Sequence, residues 1–131
     1  MFMKIILADP NSEVRTALQL VLKHSPKEPV TSEAEDVLQL LAQSAQKCPD
    51  LIVFDPELIK PYRSHRRHRT QQLMDIFNVL HKICPCAKVV VISSRLETEK
   101  DALSSGADGF ISKTESPEVF WAKIAEFWRE D

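Results

Sequence analysis

The stretch Asp50-Leu51-Ile52-Val53-Phe54-Asp55 decides the fold, because it places four consecutive apolar residues between two carboxylates. Such a run is typical of a strand that is covered on both faces of a sheet. A charged side chain is costly to bury inside such a strand, so we expect Asp55 to emerge at its carboxyl end. In open α/β sheets ligands bind at that end, which makes Asp55 a candidate site residue.

Three further apolar runs also end on polar side chains. The runs with their polar ends are 4–8 with Asp9, 88–92 with Ser93 and Ser94, and 109–112 with Lys113. If these strands are parallel neighbours, their carboxyl ends bring together two acids, a hydroxyl and an ammonium. This combination suits a phosphoryl group, because an ammonium makes charge-assisted hydrogen bonds to phosphate oxygens.

Segments with helical spacing of apolar residues separate the strands. The apolar stripes are Val14, Ala17, Leu18, Val21 and Leu22; then Val37, Leu38, Leu41 and Ala45; then Leu73, Ile76, Phe77, Leu80 and Ile83. This spacing predicts three amphipathic helices. Ser12 or Asn11 can cap the first of them, and Ser116 followed by Pro117 predicts the start of a last helix.

The remaining segments complete an alternating order of strand and helix. The expected elements are a short strand near residue 30, a long polar loop from 56 to about 70, and a short helix over 101–105 that Gly106 stops. Gly106 and Gly109 are both expected to need a left-handed backbone at the turn into the last strand. Five strands alternating with five helices predict a doubly wound α/β fold with a five-stranded parallel sheet, in a single domain spanning 1–131.

The composition argues against several classes of function. The net charge of −2 favours neither a nucleic-acid nor a membrane partner, and no apolar run is long enough for a signal peptide or a membrane span. With two glycines the sequence has no G-x-G-x-x-G or Walker loop, which argues against nucleotide binding of those kinds. The three cysteines are interpreted as scattered free thiols of a cytoplasmic protein.

Four blocks of the chain, in this order, resemble the receiver domains of bacterial response regulators, the CheY-like family. The blocks are 4–9, 49–55, 91–94 and 106–113, and the last is most similar to receivers of the NarL/FixJ group. The resemblance covers nearly the whole chain. It implies the flavodoxin-like strand order 2-1-3-4-5 and a role as a phosphorylated switch, not an enzyme.

The resemblance also assigns a role to each candidate residue. Asp55 matches the phosphoacceptor, which in this family attacks the phosphohistidine of a histidine kinase or phosphotransfer protein and becomes an acyl phosphate. The expected phosphate-binding residues are Lys113, Ser93, whose hydroxyl reorients in the switch, and the small neighbouring Ser94. Phe110 matches the switch aromatic, whose rotamer reports the state. Taken singly, each has a simpler interpretation as a turn, surface or core residue.

The sequence departs from the family at the expected metal site. Receivers hold Mg²⁺ with two successive acids after the first strand, and here that pair reads Asp9-Pro10. By resemblance the remaining protein ligands are Asp9, Asp55 and the backbone carbonyl of Glu57, with the Glu57 carboxylate or the more remote Glu13 as substitutes. Mg²⁺ demands octahedral oxygen ligands, so the loss of a carboxylate predicts weak or lost Mg²⁺ binding.

A basic segment from Lys60 to Arg69 lengthens the loop after Asp55 and carries five formal positive charges with no acid. It is interpreted as a solvated loop. The alternatives are docking to an acidic partner, a phosphate or RNA contact, and a cation supplied near the metal-poor site. Direct nucleic-acid binding is not expected, because no recognised motif accompanies the charge.

Two functions stay open: a phosphorylatable receiver, and a pseudo-receiver that serves as a protein-interaction module without phosphorylation. In both, the interaction face for an effector or a homodimer is expected over Glu97–Trp128. Its last helix carries more large apolar residues than one stripe can bury; these are Phe120, Trp121, Ile124, Phe127 and Trp128. No linker-like tail follows this helix, which favours a stand-alone domain over the alternative, a fragment of a longer DNA-binding regulator.

Overall fold

The structure is a computed structural model that describes residues 2–59 and 66–127, without the side chains of residues 66 and 67. Strands and helices alternate along these ranges. The strands are β1 (Lys4–Ala8), β2 (Val30–Ala34), β3 (Leu51–Phe54), β4 (Lys88–Ser93) and β5 (Gly109–Ser112). The helices are α1 (Ser12–Lys23), α2 (Val37–Lys47), α3 (Arg66–Ile83), α4 (Thr98–Ser104) and α5 (Pro117–Ala125), and a short 3₁₀ helix (Pro56–Leu58) follows β3.

The five strands form one parallel sheet in the order β2-β1-β3-β4-β5, which confirms the predicted fold class and strand order. The pairing also aligns the carboxyl ends of the central strands. Ala8 pairs with Phe54 across β1 and β3, and Ser93 pairs with Ser112 across β4 and β5. The residues that follow these four positions therefore emerge side by side.

Helices cover both faces of the sheet, because alternate residues of each central strand point to opposite sides. On one side the core joins strand residues to helices α2, α3 and α4; its members include Ile6, Ile52, Val89, Leu40, Leu73, Phe77 and Ala102. On the other side it joins the strands to α1 and α5; its members include Ile5, Leu51, Val90, Leu22, Phe120 and Ile124. No helix in the described ranges is long and apolar enough to cross a membrane.

The helix starts follow the predicted capping residues. Asn11, one of the two candidates, caps α1 by accepting hydrogen bonds from the backbone N–H groups of Glu13 and Val14. Ser116 caps α5 by accepting from Val119 N, with Pro117 in the first helical turn. A side-chain oxygen at this position replaces the partner that a first-turn N–H lacks.

Two predicted details of the middle of the chain are wrong. The polar loop expected from 56 to about 70 is shorter, because Pro56–Leu58 forms a 3₁₀ helix and α3 already begins at Arg66. Pro56 and Leu58 are buried, and Leu58 belongs to the core. This packing explains why the chain forms regular structure directly after β3. Of the basic segment, residues 60–65 lie outside the described residues.

In α2, Leu38 is 78% exposed and Leu40 is fully buried, so the predicted stripe is rotated.

The region before β5 also differs in two respects. Helix α4 begins at Thr98, three residues earlier than predicted, and its buried residues include Asp101 and Ala102. Gly106 has φ +104°, a backbone that favours glycine, as predicted. Gly109 has no such conformation; instead, a Cβ there would lie 3.1 Å from Cζ of Phe127, so its role is close packing.

Candidate functional site

Lys113 lies between two buried carboxylates at the carboxyl edge of the sheet. Its Nζ hydrogen-bonds Oδ2 of Asp55 and lies 3.0 Å from Oδ2 of Asp9. Asp9 is 1% exposed and Asp55 is 2% exposed, whereas a fifth of the Lys113 side chain reaches solvent. The structure thus brings together the three charged residues predicted at the strand ends, in direct ionic contact.

Backbone hydrogen bonds of the sheet fix the positions of these three residues. The N–H of Asp55 donates to the carbonyl of Ala8 at 2.9 Å, and the N–H of Lys113 donates to the carbonyl of Ser93 at 2.9 Å. The N–H of Asp9 donates to the carbonyl of Ala34 at 3.1 Å. Each ladder thus continues one residue beyond the strand, so each charged side chain starts from a fixed backbone position.

The Asp55 carboxylate is held at both oxygens. Oδ1 accepts the backbone N–H of Glu57 at 2.7 Å, as the cap of the 3₁₀ helix, and Oδ2 accepts from Lys113. Burial raises the pKa of Asp55 to about 6, against the lowering effect of these two donors and with a smaller raising contribution from Asp9. Asp55 is therefore mostly ionised at neutral pH but titrates close to it.

The other two members of the site have complementary environments. Burial lowers the pKa of Lys113, but the hydrogen bonds and charges of Asp55 and Asp9 outweigh it and leave that pKa raised, so the ammonium persists. Oδ1 of Asp9 accepts the backbone N–H of Asn11 at 2.8 Å. Oδ2 of Asp9 is buried and, among the described residues, has the ionic contact with Lys113 but no aligned hydrogen bond.

Ser93 is buried at the end of β4, but its hydroxyl faces α4. Its Oγ accepts the backbone N–H of Arg95 at 3.0 Å and donates to Oγ1 of Thr98 at 3.4 Å. Ser94, in contrast, is exposed. The structure therefore shows Ser93 in contact with the start of α4, and the predicted phosphate contacts of Ser93 and Ser94 stay predictions.

The large apolar residues of the C-terminal part pack against the two sides of the core. Phe110, the expected switch aromatic, is half-buried and packs against the core of α2, α3 and α4. Phe120 and Ile124 are buried, and Trp121 and Phe127 are half-buried against the core of α1 and α5, so none of these four is fully exposed. Trp128 lies outside the described residues. The exposed apolar residues near this face are instead Leu96, Leu103 and Val119.

The structure adds a buried arginine that the sequence analysis missed. Arg15 on α1 donates from Nη1 to the backbone carbonyl of Asp9, and its Nε lies 2.8 Å from Oε1 of Glu33 on β2. Arg15 is 8% exposed, so it holds the turn after β1 from inside. Its position along the helix could have predicted this burial, because residue 15 lies one turn from Leu18 and two turns from Leu22 on the inner stripe.

The oxygen atoms available to a cation are few. Asp9 and Asp55 are adjacent, and the buried Oδ2 of Asp9 without a hydrogen bond is a suitable hard-cation ligand. The side chains of Glu57 and Glu13 are exposed, and the described ranges hold no group of three or more acidic, His or Cys side chains that could bind a metal. The two carboxylates are oxygen donors of the kind that Mg²⁺ takes, and the other ligands would have to be backbone oxygen or water.

Solved structures with the same fold are numerous, and several are receiver domains by description. A CheY-like response regulator receiver domain from Methanospirillum hungatei JF-1 is 22% identical over 96% of this chain and 93% of that one, with a TM-score of 0.74. A LuxR-family two-component response regulator from Aurantimonas sp. SI85-9A1 is 21% identical over 97% and 86%, with a TM-score of 0.73. The chemotaxis response regulator CheY4 of Vibrio cholerae is 15% identical over 98% and 100%, with a TM-score of 0.71.

These comparisons show that the chain has the CheY-like fold, which confirms the resemblance at that level. The finer similarity to the NarL/FixJ group has loose support in the LuxR-family structure. No protein-family model and no curated protein sequence matches the chain.

Proposed function

We propose that the chain is a receiver domain of cytoplasmic two-component signalling, in which Asp55 accepts a phosphoryl group from a phosphohistidine. The donor would be a histidine kinase or a phosphotransfer protein. The observation that carries the proposal is the contact of Lys113 Nζ with both Asp9 and Asp55 at the end of a CheY-like sheet. Burying three ionisable groups side by side is costly, and such clusters are typical of functional sites.

In the proposed transfer, a carboxylate oxygen of Asp55 attacks phosphorus. The O–P bond forms while the N–P bond of the phosphohistidine breaks, and the imidazole nitrogen keeps the bonding electron pair. The attack needs an ionised carboxylate, which the pKa of about 6 provides at neutral pH. The product is an acyl phosphate on the protein, so the role is that of a switch and not of an enzyme that releases a product.

Lys113 supplies the positive charge that this transfer requires. Negative charge spreads over three phosphoryl oxygens in the transition state. A cation that already contacts the nucleophile neutralises this charge without rearrangement of the site. Its raised pKa keeps Lys113 protonated throughout. Bound Mg²⁺, with Asp9, Asp55 and the Glu57 carbonyl as its protein ligands, would neutralise further charge on the same oxygens.

The hydrogen bond from Ser93 to Thr98 connects the site to α4. A phosphoryl group on Asp55 would compete for the Ser93 hydroxyl, since a charged oxygen is a stronger acceptor than Thr98 Oγ1. Release of Thr98 would change the first turn of α4. The exposed Leu96 and Leu103 flank this turn, and they are the proposed contact for an effector or a second copy.

The direct test is phosphorylation of the purified protein by acetyl phosphate and by phosphoramidate with Mg²⁺. We expect the intact mass to rise by one phosphoryl group, and the adduct to be removed by hydroxylamine, as an acyl phosphate is. Asp55→Asn should abolish the adduct, whereas the matched control Asp75→Asn, an exposed aspartate of α3, should keep it. An adduct that persists in Asp55→Asn, or none with either donor, contradicts the proposal.

A second candidate, the pseudo-receiver, is favoured by Pro10, which puts no oxygen where the family has an acid. In that case the fold acts as an interaction module whose state does not depend on phosphorylation. Titration with beryllofluoride and Mg²⁺ discriminates the receiver from the pseudo-receiver. Binding is monitored by the fluorescence of the half-buried Trp121 and of Trp128. A saturating change that Asp55→Asn abolishes supports the receiver, and no change at any Mg²⁺ concentration supports the pseudo-receiver.

A further inference from the structure

The three cysteines of the chain converge at the amino-terminal edge of the sheet, opposite the Asp55 site. All three are free thiols, as predicted, but they lie close together instead of scattered. Cys84 lies at the end of α3, and Cys48 and Cys86 are both close enough to act on its thiol electrostatically. Sγ of Cys84 also lies 3.7 Å from the carbonyl oxygen of Pro49, the residue next to Cys48.

The backbone at Cys48 is unusual. Cys48 ends α2 with φ 44° and ψ 68°, and it is the one residue other than glycine with positive φ among residues 2–59 and 66–127. Glycine or asparagine is the usual residue at such a helix end, because a Cβ makes the left-handed conformation costly. This conformation directly precedes Pro49, whose carbonyl oxygen lies 3.7 Å from Sγ of Cys84.

Both thiols are held by rigid helix ends. The N–H of Cys48 donates to the carbonyl of Ser44, and the N–H of Cys84 donates to the carbonyl of Leu80. Cys48 is exposed, while Cys84 is 5% exposed. One thiol is thus open to a dissolved oxidant, and its neighbour is shielded.

We propose that a peroxide converts Cys48 and Cys84 into a reversible disulfide that links the ends of α2 and α3. The Cys48 thiolate attacks the peroxide; an S–O bond forms, the O–O bond breaks, and the leaving hydroxide takes a proton to become water. The Cys84 sulfur then attacks the Cys48 sulfur; the S–S bond forms, the S–O bond breaks, and the hydroxide released takes the Cys84 proton. Hydrogen peroxide and two thiols thus give one disulfide and two waters.

The environments of the thiols favour this order of events. Burial raises the pKa of Cys84, and the neighbouring Cys48 raises it further, so Cys84 is little ionised at neutral pH. The exposed Cys48 is therefore the first to react, and Cys84 is the resolving thiol. The link closes a long loop of chain, which stabilises the fold by restricting the unfolded state.

The test is to treat the protein with hydrogen peroxide and map its thiols by alkylation and peptide mass spectrometry without reduction. We expect Cys48 and Cys84 to become joined, Cys86 to stay alkylatable, and dithiothreitol to reverse the change. The oxidised protein should melt at least about 5 °C higher than the reduced one. The control Cys86→Ser should keep both effects, and Cys48→Ser, at an exposed position, should lose both while remaining folded.

A disulfide to Cys86, links solely between chains, overoxidation of Cys48 while Cys84 stays free, or three thiols that all remain alkylatable each overturn the proposal. The same measurement in Asp55→Asn should give the wild-type result. The test of the disulfide is thus independent of whether Asp55 is phosphorylated.

Discussion

The ammonium of Lys113 reaches across β4 to the carboxylate of Asp55, although the two residues are 58 positions apart and follow strands that are not neighbours. Strands two places apart are roughly 10 Å from each other. The long side chain of lysine can span this distance, whereas a short side chain cannot. The strand between them ends at Ser93 with Ser94 after it, both small. The ion pair therefore depends on the order of strands as much as on the two residues.

Removing this cation should change the titration of the phosphoacceptor. In Lys113→Met, the pKa of Asp55 should rise above about 6, because burial and Asp9 then act without the opposing ammonium. We expect phosphorylation by acetyl phosphate to slow by about 100-fold or more, as for loss of one transition-state donor. Carboxyl ¹³C NMR titration and intact-mass kinetics measure the two effects. Lys123→Met, at a partly exposed ion pair with Glu115, is the control and should change neither.

The pKa of Asp55 also predicts how stability depends on pH. Its folded value of about 6 lies above the unfolded value of 3.8, so the folded state binds more protons between these values. Stability contributed by this group therefore falls as pH rises from about 4 to about 6, by at most about 3 kcal/mol. Asp55→Asn lacks this loss, so its stability relative to wild type should grow over that range. Urea unfolding at several pH values measures the difference; a constant difference contradicts the raised pKa.

Pro10→Asp should strengthen Mg²⁺ binding. The substitution rebuilds an acidic pair beside Asp9, and a third carboxylate adds a charged oxygen to a hard-cation site that has two. We expect the Mg²⁺ dissociation constant to fall by about tenfold or more, a gain of roughly 1.4 kcal/mol. Calorimetric titration measures it, with Pro10→Asn as a control for the backbone. Equal affinity in wild type and Pro10→Asp means that another oxygen already serves, and Glu57→Ala tests whether it is the Glu57 carboxylate.

The contact between α3 and α4 depends on a buried ion pair. Asp101 is 2% exposed, and its Oδ2 lies 3.2 Å from Nη2 of Arg69. Asp101→Ala removes the carboxylate from a partly buried guanidinium, so we expect a loss of about 2–4 kcal/mol in the free energy of unfolding. Glu99→Ala, an exposed acid of the same helix, should change it by less than about 0.5 kcal/mol. Similar losses in both variants would indicate the loss of negative charge in the first turn of α4 instead of the ion pair.

The interaction face can be tested by charge at an exposed leucine. Leu103 on α4 is 48% exposed, and Leu103→Asp should weaken any association that beryllofluoride induces, because a carboxylate is costly to desolvate in an apolar contact. Sedimentation velocity measures self-association, and a labelled candidate effector measures the alternative. Leu38→Asp, at a leucine of α2 that is 78% exposed, is the matched control. Equal effects of the two substitutions would argue against the α4 face.

Local pattern was sufficient to predict the strands, their ends and the residues at those ends. Apolar runs that stop at Asp9, Asp55 and Lys113 can be read from neighbouring residues alone, because charge is costly at strand positions that are covered on both faces. Alternation with helices then led to a parallel sheet, and parallel strands bring their carboxyl ends to one edge. The candidate site was therefore determined by the sequence before any contact was known.

Tertiary structure decided what depends on the rotation of each helix and on contacts distant in sequence. Leu38, Leu40 and Leu41 allow more than one apolar stripe, and packing against the sheet selected the one with Leu40 inside. The burial of Arg15 and of the α5 aromatics, the Ser93–Thr98 hydrogen bond and the proximity of Cys48 to Cys84 are of the same kind. No short stretch of sequence specifies them, because each joins separate elements whose distance is settled when the two helical layers close on the sheet.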